Sequence, residues 1–178
     1  MVREKNRSKA PEHEELRQSY MLVITALSNE IQVMDEKIGA IITQEPLMQA
    51  QIDVLKTIVA IGDITAIYLL ALLPELGQVN RKQIASLGGL APHPNESGKK
   101  IGYRFTRGGR REVKAVLFMA AMSASQTSSE LGRTYEKFIK SGKKKMVALT
   151  ALMRKMLVIA NARIRDHYAE QTILAPEK

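Results

Sequence analysis

Between Glu12 and Gln44 apolar residues fall at Leu16, Tyr20, Val23, Leu27, Ile31, Met34, Ile38 and Ile41, in steps of four and three. This is a heptad seam with one stutter at Leu27–Ile31. It predicts a single long helix that Pro46 ends. An isolated helix of this kind is marginal in water and needs a partner. A coiled-coil-like arm and a helix lying on its own core both satisfy the pattern.

From Leu55 to Leu73 the chain is almost continuously apolar, with a break at Ala60–Asp63. Two short helices around a tight turn are expected, an arrangement like a helix-hairpin-helix. In that motif backbone N–H groups at the start of the second helix hold a DNA phosphate without reading sequence. Gly62 and Thr65 are then candidate nucleic-acid contacts. Two glycines usually shape such a hairpin, and Ala60 stands where the first is expected, so a purely structural αα-hairpin fits equally well.

Pro74 and Gly77 break the chain again, and Arg81–Leu87 reads as one short helix before Gly88-Gly89. The segment from Gly89 to Gly109 holds two prolines and five glycines, and alternates through Lys100–Thr106. It predicts a long basic loop or small β-hairpin; loops of this length inside a compact domain are usually functional or disordered, and the cationic, glycine-rich content favours function. Val113, Val116, Leu117, Ala120 and Ala121 form the apolar stripe of a following helix. Ser128 or Ser129 caps the next helix, which carries Leu131, Tyr135, Phe138 and Ile139 and ends at Gly142 in the C′ role. A last helix runs from Met146 to about His167, with Met153, Met156, Leu157 and Ile164 facing the core. The fold class is mainly α: a helical arm over 1–46, a compact helical domain over 47–170 and a disordered tail over 171–178.

The 178 residues are 45% hydrophobic, enough to bury a core. No apolar run is long enough to span a bilayer, and Met1–Lys9 has no apolar stretch behind it, so no membrane span or secretory signal is expected. There is no cysteine, and only His13, His93 and His167 among histidines, so neither disulfides nor a protein-held metal site is expected. A cytoplasmic location follows from these features. Residues 1–50 carry six Lys/Arg and eight Asp/Glu, whereas 51–178 carry 21 and 10. The body is therefore strongly basic and the arm is not. That asymmetry, without tryptophan and with few bulky aromatics, favours nucleic acid over an anionic membrane as partner.

The charge concentrates beside Ser97. From position 99 to 114, Lys99, Lys100, Arg104, Arg107, Arg110, Arg111 and Lys114 stand against a single acid, Glu112. Guanidinium groups grip phosphate oxygens bidentately, and glycines such as Gly108 and Gly109 let backbone amides approach the same oxygens. Lys143, Lys144 and Lys145 open the last helix, where three cations oppose the macrodipole unless an anion docks there. Arg154, Lys155, Arg163 and Arg165 extend the positive surface. A solvated basic loop and ordinary surface lysines fit the same charges.

Several blocks in order carry a resemblance: Leu73-Pro-Glu-Leu-Gly77, Arg81-Lys-Gln-Ile-Ala-Ser-Leu-Gly-Gly-Leu-Ala-Pro92, Ser97-Gly98, Gly108-Gly-Arg110, Met119-Ala-Ala121, Gly142-Lys-Lys-Lys-Met-Val-Ala-Leu149 and Met153-Arg-Lys-Met-Leu157. Over roughly residues 10–168 the chain resembles the C-terminal transposase domain of the insertion-sequence family often called IS one-ten, relatives of the pilin-segment inversion recombinases. The resemblance implies a serine nucleophile for DNA strand cleavage and rejoining, falling on Ser97 in Asn95-Glu96-Ser97-Gly98. It aligns the family's Gly-x-Arg with Gly102 and Arg104, and its Gly-Gly-Arg with Gly108, Gly109 and Arg110. Arg104 and Arg110 would then clamp the scissile phosphate. It also implies DNA and a structured guide RNA as partners, and an N-terminal RNase-H-like (RuvC-like) domain whose four acidic residues hold Mg²⁺. Ile101, Tyr103, Thr106, Glu96 and Ala60 depart from the family pattern.

No strand series with an acidic quartet is recognisable in the sequence, so no cofactor is expected in this chain and Mg²⁺ only with the RuvC-like domain. The leading expectation is the DNA-binding part of a transposase or site-specific recombinase, a homo-oligomer through the 12–44 helix and incomplete without that domain. The alternatives are a non-catalytic DNA- or RNA-binding protein derived from a transposase, and an inert remnant.

Overall fold

The structure, a computed structural model, describes residues 3, 6, 16–94, 96–97, 100–101 and 105–174. It is mainly α, with seven helices among the described residues. They are α1 (Arg17–Gln44), α2 (Pro46–Lys56), α3 (Asp63–Leu72), α4 (Arg81–Leu87), α5 (Arg111–Ser125), α6 (Glu130–Lys140) and α7 (Lys145–Leu174). Four two-residue strands lie between α4 and α5: β1 (Pro92–His93), β2 (Glu96–Ser97), β3 (Lys100–Ile101) and β4 (Phe105–Thr106). No helix among the described residues is long and apolar enough to cross a membrane. The chain divides into two compact units, Met1–Gln49 and Ala50–Lys178.

The first unit is dominated by α1. Its expected start at Glu12 lies outside the described residues, and its end at Gln44 agrees with the break imposed by Pro46. Pro46 also opens α2, a position where its missing N–H costs nothing because that group would have no intrahelical partner. Leu27, Ile31, Met34, Ile38 and Ile41 of the heptad seam are exposed on α1.

The second unit is organised by α7. Ala148, Leu152, Met156, Ala160 and Ile164 are fully buried at four-residue intervals, and Leu149, Met153 and Leu157 widen that face. The helices α4, α5 and α6 all pack on α7, and α3 packs on α5. The core residues expected from sequence on α5 and α7 are buried, with Val116 only half-buried. Removing a fully buried leucine or isoleucine from water contributes about 1.5–3 kcal/mol, so this apolar face is the main source of cohesion.

Local signals fix the helix ends. Asn80 caps α4 by accepting from the N–H groups of Lys82 and Gln83, while the Gln83 side chain accepts from the Asn80 N–H, a complete capping box. Of the two serines expected to cap α6, Ser129 does so, accepting from the Gly132 N–H. Gly142, at φ 84°, closes α6 in a Schellman motif. Its N–H donates to Ile139 O and that of Lys143 to Phe138 O.

The turn between α2 and α3 holds Ala60 at φ 66°, the only non-glycine with positive φ among the described residues. A left-handed alanine costs roughly 1–2 kcal/mol. The position where a glycine is expected therefore does have glycine geometry, and the alanine carries the strain.

Candidate nucleic-acid interface

The four strands form one nested hairpin in two antiparallel ladders. Pro92 pairs with Thr106 and His93 with Phe105. Further out, Glu96 pairs with Ile101 and Ser97 with Lys100. Two residues separate the ladders on the outgoing side and three on the returning side, so the register slips by one between them. Ser97 is the last paired residue before the two-residue link at positions 98 and 99. Its backbone therefore stands at the hairpin tip. Lys99, Arg104 and Gly102 lie outside the described residues.

The root of this hairpin is a backbone-to-backbone junction. A second Schellman motif ends α4: the Gly89 N–H donates to Ser86 O and that of Leu90 to Ala85 O. The Arg110 N–H then reaches across the root to Leu87 O at 2.8 Å. Gly89 and Gly109 have φ of 65° and 70°. A Cβ on Gly109 would stand 2.1 Å from the Gly89 nitrogen, and one on Gly89 would stand 2.2 Å from Gly108 O. Gly109, expected from sequence to approach a phosphate, instead approaches the other strand of its own loop. Gly108 has no such neighbour and is exposed.

Arg110 shows a similar difference. Its two Nη atoms donate to the two carboxylate oxygens of Glu75, each at 2.7 Å, in a fork that a phosphate clamp would have to give up. The ion pair joins the turn after α3 to the N-cap of α5, since Arg110 holds that position. The Arg110 hydrogen bonds, helped by a backbone donor, hold the Glu75 carboxyl at about 2, below its ordinary 4.5. Glu75 therefore contributes stability fully above pH 4.5, and that contribution is lost as pH falls through about 2. The expected result is that Glu75→Gln flattens the parent's loss of thermal midpoint across this window. Equal slopes for parent and variant would remove the pair from the account.

Among the described residues, some of the other cations are exposed and others are held by polar partners. Arg107 is exposed, with its guanidinium 5.6 Å from the Phe105 ring centroid. Arg111 is exposed at the first position of α5. Lys143, Lys144 and Lys145 are exposed, with Lys143 Nζ 5.8 Å from the Phe138 ring centroid. Lys155 is tied to Glu130 and Thr134, Arg163 to the Thr57 hydroxyl, and Arg165 to Asp166.

A groove of about 520 Å³ brings two of these groups together. Pro92, Phe105 and Thr106 at the hairpin base form one wall, and Met146, Val147 and Thr150 of α7 form the other. Lys143 and Arg154 also line it, and among the described residues no acidic side chain does. Sequence reading missed this groove. The apolar pair Met146-Val147 directly after three lysines is its only local signal.

Gly62 and Thr65 sit at the start of α3, and the turn contributes nothing to the groove. Asp63 occupies the first turn there and is paired with Lys56 at 2.7 Å. A carboxylate beside the N–H groups disfavours a docking phosphate. Among the described residues no group of three or more His, Asp or Glu could hold a metal ion.

Comparison with known proteins agrees with the order of motifs. Residues 52–136 match the model of the Transposase IS116/IS110/IS902 family. The chain is 33% identical over 149 residues to the "Pilin gene-inverting protein" of Moraxella lacunata, covering 79% of this chain and 45% of that protein. The same figures hold for the protein of that name from Moraxella bovis. It is 28% identical over 145 residues to the "Insertion element IS110 uncharacterized 43.6 kDa protein" of Streptomyces coelicolor, covering 80% of this chain and 35% of that one. The chain thus spans less than half the length of these relatives.

Proposed function

We propose that this chain is the DNA-binding part of a transposase or site-specific recombinase, with Ser97 as the nucleophile for strand cleavage and rejoining. One observation carries the reading: Ser97 is the last paired residue of a hairpin whose root is locked by Gly89, Gly109 and Arg110. A reactive hydroxyl at a hairpin tip suits attack on a backbone phosphate while the helical body supplies cations to the flanking ones. Relatives named for inverting a pilin gene support DNA as the substrate.

In the step itself the Ser97 oxygen forms a bond to phosphorus as the bond from phosphorus to the 3′ oxygen breaks. The serine proton leaves and the 3′ oxygen takes one up. The product is a phosphoserine link and a free 3′ hydroxyl, ready for rejoining to another strand. Serine needs activation for this. The resemblance assigns that work to a RuvC-like domain whose acidic residues would hold Mg²⁺, which would supply charge to polarise the phosphate and stabilise the leaving oxygen. In this reading Arg104, Lys99 and Lys100 contact the phosphate backbone near the tip, while Arg110 acts through the hairpin root. A structured guide RNA selects the DNA.

Complementation tests the proposal. With the RuvC-like domain supplied in trans, the parent is expected to form a covalent DNA adduct and Ser97→Ala none. Equal adduct from both discards Ser97. A second reading, a non-catalytic nucleic-acid binder, is favoured by the commitment of Arg110 to Glu75. It requires Ser97→Ala to bind like the parent, at roughly 10⁻⁴–10⁻⁶ M and weakening steeply with salt, with no adduct from either.

The proposal includes pairing of two copies through α1, because Ile31, Met34, Ile38 and Ile41 repeat at heptad spacing and are exposed. Sedimentation is expected to show a dimer that Ile31→Asp dissociates. A parent that sediments as a monomer at tens of micromolar would end this part of the reading.

A further inference from the structure

The groove between the hairpin base and α7 is not explained by phosphate contacts alone. Its walls are apolar where they are most open: Phe105, Met146 and Val147 are 40%, 60% and 53% exposed. Among the described residues its charged lining is of one sign, from Lys143 and Arg154. Lys143 precedes α7 by two positions, and Arg154 lies within that helix. A duplex offers phosphates to such a surface but keeps its base faces stacked inside. An unstacked nucleotide offers both, an apolar π-face and a phosphate on either side. The volume, about 520 Å³, lies in the range of small-molecule sites.

We propose that this groove holds an unpaired DNA base, with Phe105, Met146 and Val147 against its faces and Lys143 and Arg154 on the adjoining phosphates. Thr106 and Thr150 place hydroxyls in the same groove, where they can meet a base edge. Arg107, stacked over Phe105, adds a cation beside the same ring. Because Phe105 and Thr106 belong to the hairpin that ends at Ser97, a base seated here lies on the element carrying the proposed nucleophile. The groove thus links strand separation to the position of the hairpin. This inference rests on the proposed DNA-binding function and deepens it by naming the form of DNA taken up.

The test compares a short single-stranded oligonucleotide with an abasic oligonucleotide of equal length, which carries the same phosphates and no bases. The parent is expected to bind the base-containing strand about tenfold more tightly. Phe105→Ala and, separately, Val147→Asp are expected to abolish that preference, with circular dichroism unchanged for Phe105→Ala. Both side chains are exposed, so the fold tolerates these changes. Equal binding of the two strands by the parent overturns the base site while leaving DNA binding intact. So does a preference that survives both substitutions. If Val147→Asp instead changes the oligomeric state, a second copy occupies the groove and the inference fails. Failure to bind any DNA, duplex included, overturns the functional reading itself.

Discussion

Gly109→Ala is expected to destabilise the second unit by roughly 2–5 kcal/mol, combining left-handed strain with an overlap that no rotamer relieves. The new Cβ would stand 2.1 Å from the Gly89 nitrogen, 2.4 Å from the Gly89 Cα and 2.6 Å from Leu87 O. All three are backbone atoms of the α4 terminus, already fixed by hydrogen bonds to Ser86, Ala85 and Arg110. Gly108 supplies the control. It has nearly the same φ, 69° against 70°, but nothing within 4 Å of an added Cβ. Gly108→Ala should therefore cost only the conformational part, about 1–2 kcal/mol. Urea midpoints with unchanged slopes measure both. If the two variants unfold at the same urea concentration, the close junction has no energetic weight. Under the proposed function, Gly109→Ala should, where still folded, also lower adduct formation by Ser97, because the hairpin root moves while the proposed nucleophile is chemically unchanged.

Asn161→Leu is expected to cost about 2–5 kcal/mol. Asn161 is 3% exposed and uses both ends of its amide. Its Oδ1 accepts from the Gly77 N–H at 2.9 Å, and its Nδ2 donates to Val79 O at 2.8 Å. Leucine has similar volume but leaves a donor and an acceptor unpaired, at roughly 1–3 kcal/mol each. These bonds hold the turn between α3 and α4 against α7, where Gly77, at φ 88°, has no room for a side chain beside Ile164. Asn161→Asp separates polarity from shape. At neutral pH a carboxylate would face the Val79 carbonyl, whereas the protonated acid can donate to it. Relative to the parent, Asn161→Asp should lose most stability at neutral pH and recover part of it on acidification. A variant of parental stability at pH 7 would show that water or a shifted turn satisfies these groups.

Much of the fold was legible because its signals are local. The four-residue spacing of Ala148, Leu152, Met156, Ala160 and Ile164 is visible in the chain, and so are the α6 caps at Ser129 and Gly142. The capping box at Asn80 and Gln83 was equally visible and went unread. The hairpin could be inferred from alternation before Thr106, but its one-residue slip could not, because register depends on which residues meet across the ladder. The site was less legible. Arg110 reads as a phosphate ligand beside Gly108-Gly109, yet its carboxylate partner lies 35 residues earlier.

The sequence by itself determined the mainly helical class, the positions of the breaks and the basic character of the body. These follow from periodicity, glycine and proline geometry and charge, which act between near neighbours. Only the tertiary structure decided that Gly109 meets Gly89, that Asn161 serves Gly77 and Val79, and that Phe105 and Val147 face one groove. Those outcomes require distant segments to be brought within contact distance by burial of the α7 face. Short-range hydrogen bonds and steric exclusion then select among side chains whose chemistry alone permits several roles.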